Sequence, residues 1–109
     1  MANTFKLKTK ANVGVTTVGI YTAPASTTTV VIGITLANTS GSGVNVGVGI
    51  TRAGATEDVK LLKNAPIPQG SSLEFMGGNK VVLETTDTFT AVSDVNNSLD
   101  VALTIMEIT

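Results

Sequence analysis

The groups in this chain that could do covalent chemistry are defined first by two omissions: the sequence has no histidine and no cysteine. A serine nucleophile needs a general base beside it, and no serine here stands in an elbow or a Ser-x-x-Lys setting. A pair of carboxylates would suffice for glycoside hydrolysis. Glu84 and Asp87 form such a pair, but they flank a turn at Thr85-Thr86, where aspartate commonly bonds to backbone amides. Asp94-Val95-Asn96-Asn97-Ser98-Leu99-Asp100 sets oxygen side chains at alternate positions, as a calcium loop begins. Its sixth place is Leu99 instead of glycine and its twelfth is Ile105 instead of a carboxylate, so a polar turn is expected. Gly47-Val48-Gly49 with Gly54 lacks the spacing and the following helix of a dinucleotide fingerprint. The chain therefore reads as no enzyme, with no catalytic, cofactor-binding or metal-binding residue.

Composition narrows the classes further. Hydrophobic residues make up 42% of the 109 and charged ones only 14%, and few are aromatic. Val, Ile, Leu, Thr, Gly and Ala dominate, as they do in strands rather than helices. The length fits a single domain over residues 1–109. Seven basic and eight acidic residues leave a net charge of −1 and no footprint for nucleic acid. No apolar run approaches the ~18 residues of a membrane span, and the N-terminal run alternates with lysine instead of forming a signal core. A soluble chain without a secretion address is expected. Weak charge on an apolar-rich chain also removes the self-repulsion that keeps proteins apart, which points to a subunit packed among others.

The elements follow from period-two alternation and turn residues. Leu62 to Phe89 organises the chain: Pro66 and Pro68 fix φ at alternate positions between Asn64 and Gly70, so this segment is an edge or crossover and not a central strand. After it, Leu73–Met76, the turn Gly77-Gly78-Asn79 and Val81–Leu83 read as a hairpin, and Thr85-Thr86-Asp87 returns the chain to Phe89. Earlier, Phe5 and Leu7 alternate with Lys6, Lys8 and Lys10, which predicts the apolar pair inward and the lysines outward. Val18 and Ile20 read as inward with Tyr21 on the opposite face, and Ile32, Ile34 and Leu36 as inward on a central strand. Asn38 to Gly43 reads as a hairpin loop or tip. Val44, Val46, Val48 and Ile50 alternate with Asn45, Gly47, Gly49 and Thr51, leaving glycine on the outer face where another backbone or subunit approaches. Phe89, Ala91 and Ser93, and the alternating run Leu99 to Ile108, complete about eight strands. The expected fold is all-β: an antiparallel two-sheet β-sandwich, jelly-roll or Ig-like, with a closed barrel as the alternative.

Several segments together resemble a known family. Thr29-Val30-Val31-Ile32-Gly33, Leu62 to Pro68 with Gly70, Lys80 to Glu84 with Asp87, and the terminal Ile105 to Thr109 look like small virion proteins of tailed bacteriophages, especially those of cyanobacteria. The resemblance implies a structural β-domain in a phage particle, assembled in the host cytoplasm and present in multiple copies. Its partners would be other virion proteins of capsid or tail, with neither nucleic acid nor membrane. The leading expectation is a capsid cement or decoration subunit, followed by a neck, tail or fibre-adaptor component. A host-surface carbohydrate-binding module would need an aromatic platform, and only Phe5, Tyr21, Phe75 and Phe89 are available. The candidate interface residues are Lys6, Lys8 and Lys10 on one strand face and Gly47 and Gly49 on another.

Overall fold

The computed structural model describes residues 3–52, 57–75 and 80–109, with the side chain of Phe75 also outside that description. Among the described residues nine strands run as β1 (Asn3–Val13), β2 (Val18–Thr22), β3 (Thr28–Asn38), β4 (Val44–Arg52), β5 (Glu57–Ile67), β6 (Ser72–Phe75), β7 (Val81–Leu83), β8 (Thr88–Ser93) and β9 (Leu99–Ile108). One sheet has the order β1-β9-β3-β6, with β7 also on β3, and the other the order β2-β8-β4-β5. All of these pairs are antiparallel.

The expected hairpin between β6 and β7 is replaced by a different arrangement. β7 pairs with Thr29–Val31 of β3 and β6 with Ile34–Ala37, so the two lie end to end along one edge. The turn residues between them, 76–79, and the expected turn at 53–56 lie outside the described residues. Counted as one position, β6 and β7 give sheets of order 1-8-3-6 and 2-7-4-5. That interleaving is the double Greek key of a jelly roll, which decides against the Ig-like and barrel alternatives. The segment from Asn38 to Gly43 carries the chain from one sheet to the other and is not a hairpin. Asn38 is buried there, donating to the carbonyls of Ser42 (2.8 Å) and Ile67 (3.0 Å). It thereby ties the end of β3 to the proline-rich end of β5.

The alternating runs form the core. Val44, Val46, Val48 and Ile50 of β4, Leu99, Val101, Leu103 and Ile105 of β9, and Phe89 at the centre are all buried. On β3 a register shift between Val31 and Gly33 breaks the expected phase, leaving Ile32 half-buried and placing Val31 with Ile34 and Leu36 inside. β5 is an edge strand, as its prolines require, and Asn64 and Gly70 take the left-handed conformation (φ 55° and 70°) on either side of them.

Gly47 and Gly49 owe their identity to a close approach within the chain. The β4–β5 register slips between Val46 and Val48 and again before Gly49, so the bulged β5 sweeps across the outer side of β4. A Cβ on Gly49 would lie 2.6 Å from the Val59 carbonyl oxygen, and one on Gly47 3.1 Å from Val92 Cγ1. Both glycines are buried. A partner subunit is not needed to explain either, and Gly47→Lys should disturb the isolated fold. Because the obstacle at Gly49 is backbone, Gly49→Ala should destabilise by about 1–3 kcal/mol. Gly47→Ala, facing a side chain that can turn aside, should cost less; denaturant unfolding of the two variants checks the ranking.

Candidate interaction surface

β1 faces the opposite way from the alternation reading. Lys6, Lys8 and Lys10 lie directly across from Ile105, Leu103 and Val101, which are core residues of β9. Residues directly opposite in an antiparallel pair share a face, so the lysine stems run along the inward margin of the core with their heads reaching water. Phe5 and Leu7 point outward and are 70% and 64% exposed. A bulge between Lys10 and Val13, with Asn12 at φ 59° and its N–H donating to Asp100 Oδ1 (3.0 Å), shifts the phase and buries Val13. Tyr21 is a second reversal. The β2–β8 register shifts between Gly19 and Tyr21, so Tyr21 falls opposite Phe89 and turns inward.

These two reversals meet at one carboxylate. Glu107, buried on β9, accepts from Lys6 Nζ (2.8 Å) and from the Tyr21 hydroxyl (2.5 Å). Thr29 Oγ1 lies 2.8 Å from the same hydroxyl, and Lys8 Nζ stands 5.9 Å from the Tyr21 ring centroid. Lys6 and Tyr21 hold the Glu107 carboxyl below its ordinary range against the opposing effect of burial. Burial first, and then donation to Glu107, push the Tyr21 hydroxyl up to about 12. Lys6 is thus paired within its own chain.

With the lysines turned in, one apolar row crosses the outer face of the first sheet, two rows away from Glu74 on β6. Phe5 lies opposite Met106, Met106 opposite Val30, and Val30 opposite Val82, making one row across β1, β9, β3 and β7. The rows on either side, Asn3–Ile108–Thr28 and Leu7–Thr104–Gly33, carry no charge over β1, β9 and β3, but at the β7 end Val82 shares a groove with Arg52, Glu57 and Glu84. Val82 at the far end is 55% exposed. This surface was hidden from the sequence by the assumption that Phe5 and Leu7 point inward; the doubly apolar start of β3 at Val30-Val31 was the available signal.

The polar turns behave as their chemistry suggests. Asp87 Oδ2 accepts the Glu84 N–H (3.0 Å) and faces Arg52 Nε at 3.2 Å, while Arg52 also pairs with Glu84. Asp87 is the main cause that holds the guanidinium more firmly charged than usual. Asp94 accepts the Asn45 N–H (3.0 Å), and Ser93 bonds Ser98 across the same turn (2.6 Å). Each of these carboxylates ties one loop to another strand. Gly47 lines a shallow groove between Lys60, Lys63 and Asp94, on the other sheet from the apolar row.

The pH dependence of stability follows from the Glu107 cluster. Folding keeps Glu107 ionised to lower pH than the unfolded chain does, so its contribution is complete above the unfolded glutamate's range and is lost as pH falls through the folded value. Tyr21 acts at the alkaline end: its contribution is complete below the unfolded value of 10.0 and is lost as pH rises from there to about 12. Thermal melts across pH should show both limbs, and Glu107→Gln should lower the melting temperature at neutral pH and flatten the acid limb.

No protein-family model and no curated protein matches this chain. Among solved structures it is similar over 99% of its length to a chain of the disulfide-linked pili formed by Bacillus endospore appendages, covering 87% of that chain at 16% identity and a TM-score of 0.59. It is similar over its whole length to a chain of the acidic stable capsid of Helicobacter pylori bacteriophage KHP30, covering 94% of that chain at 11% identity and a TM-score of 0.58. At such identities the likeness is one of fold. It agrees with the β-sandwich that the virion-protein resemblance implies, and it does not single out the cyanobacterial phages.

Proposed function

We propose that this chain is a non-enzymatic structural subunit of a bacteriophage particle, present in many copies, and that it decorates and stabilises the capsid. The observation that carries the reading is the uncharged apolar row from Phe5 to Val82, exposed at both ends on a jelly roll of the kind found in a phage capsid. A surface of this sort marks a site of contact with protein. The partners are other virion proteins and further copies of the chain, and the place is the virion, assembled in the host cytoplasm. Of the interface residues read from sequence, Lys8 and Lys10 at the β1 edge remain in this proposal; Lys6 pairs with Glu107, and Gly47 and Gly49 are accounted for by contacts within the chain.

The likeness to a pilus chain favours a second reading, a neck, tail or fibre-adaptor component. A carbohydrate-binding module is less well supported. Of the aromatic side chains described, Tyr21 and Phe89 are buried and Phe5 stands alone on the surface, which makes no platform.

Electron microscopy of particles carrying a tagged copy tests the assignment. Label spread regularly over the capsid is expected. Label confined to the neck, tail or fibres would transfer the protein to the second reading, and its absence from purified particles would overturn both.

A further inference from the structure

We infer that the free edge of β1, from Asn3 to Lys10, is paired by an extended strand of a different protein. That strand alternates carboxylates with apolar side chains and sets its carboxylates beside Lys8 and Lys10. The inference deepens the proposed role: it rests on Lys8 and Lys10 lying in an interface, and it states the chemistry of the partner.

The edge is open and regular. β1 ends its sheet, so among the described residues no strand lies beyond it. Every residue from Asn3 to Lys10 is exposed except Lys8, which is half-buried. The register to β9 is unbroken from Asn3 to Lys10, which extends a row of unpaired backbone groups over about 27 Å. Edge strands are commonly blunted by shortness, by proline or by a bulge. β1 has 11 residues, no proline, and a bulge only beyond Lys10.

The guard that remains is the lysine row, and it is a selective one. Lys6 is paired with Glu107, whereas Lys8 and Lys10 pair with no carboxylate among the described residues. Lys8 Nζ rests 5.9 Å from the Tyr21 ring centroid, a contact that leaves its charge uncompensated. The carboxylates of β9 are already engaged, Glu107 by Lys6 and Tyr21 and Asp100 by the Asn12 N–H. β2 and β8 carry none. Lys8 and Lys10 stand about 7 Å apart on one side of the strand, and Phe5 and Leu7 are exposed on the other. Directly opposite residues of an antiparallel pair share a face. A strand with carboxylates two residues apart therefore meets both lysines at once, and its intervening apolar residues fall on the side of Leu7. A neutral or basic strand would leave the lysines uncompensated.

The same row excludes a second copy of the chain. Pairing β1 with another β1 about a two-fold axis sets the lysine side of one strand against the lysine side of the other. No other strand of a second copy fits either, because no two carboxylates in the sequence stand two residues apart. Like charges turn away the wrong strand, and opposite charge draws in the right one.

The test uses the full chain and an eight-residue peptide that alternates glutamate with valine. Amide resonances of Asn3 to Lys10 should shift saturably with a Kd below about 1 mM. The same peptide with lysine in place of glutamate should cause no shift. The double variant K8Q/K10Q, altered at exposed or half-buried positions, should bind the acidic peptide roughly tenfold more weakly while its melting temperature changes little. Raising the salt from about 0.05 to about 0.5 M should weaken wild-type binding and affect the variant less. Absence of shifts at several millimolar peptide, shifts confined to other strands, or equal binding of the lysine peptide would each overturn the inference. None of these results bears on whether the chain belongs to a phage particle, which labelled particles decide separately.

Discussion

Glu107 sets the constraint on which the first sheet depends. A carboxylate on the inward face of β9 is tolerable only with partners; because the Lys6 side chain stays 41% exposed, losing it should cost less than the about 3–5 kcal/mol of a fully buried pair. Lys6 and the Tyr21 hydroxyl supply those partners. Lys6 can do so only if the even-numbered residues of β1 face inward, and the period of two then sends Phe5 and Leu7 to the surface. Burying those two side chains instead would gain about 1.5–3 kcal/mol each. The alternatives thus lie within a few kcal/mol of one another. Covering the outer face in an assembly recovers the burial of Phe5 and Leu7 while keeping the carboxylate paired, so the assembled state satisfies both demands.

The second sheet meets a different demand, at its free edge. β5 carries Pro66 and two register slips, features that discourage a further strand from adding to it. The same slips press its backbone against β4, and glycine at position 49 makes room for the Val59 carbonyl. Specificity at this edge is therefore built from local irregularity and not from charge. The ends of the sandwich are held by single polar side chains, Asn38 at one turn and Asp87 beneath Arg52 at another.

The strands and their class were legible in the sequence because β4, β8 and β9 alternate cleanly and each buries one face. The edge role of the proline segment was legible too, as was the turn-capping by Asp87, since both rest on local chemistry. What alternation could not show was phase across a bulge. The irregularities near Asn12, Ile20 and Ile32 each shift the phase by changing the residue count on one strand, and nothing in a single strand's pattern reveals how many residues its partner contributes. For β2 this turned Tyr21 inward; on β1, whose register is unbroken from Asn3 to Lys10, the lysine row and the apolar row were misplaced by the assumption that the apolar pair faces the core. The pairing of β6 and β7 along a shared edge was illegible for a related reason: a Gly-Gly-Asn turn suggests a hairpin, and only β3 decides otherwise.

Whether β1 truly faces this way can be read from its side-chain contacts in solution, and at 109 residues the chain is well suited to nuclear Overhauser measurements. The account predicts contacts from the Phe5 ring to Met106, directly across on the outer face, and from the Lys8 methylenes to the Tyr21 ring. Contacts from the Phe5 ring to Leu103, Ile105 or Phe89 would place it in the core and contradict the account, because the Glu107 pairing and the apolar outer face would then fall together.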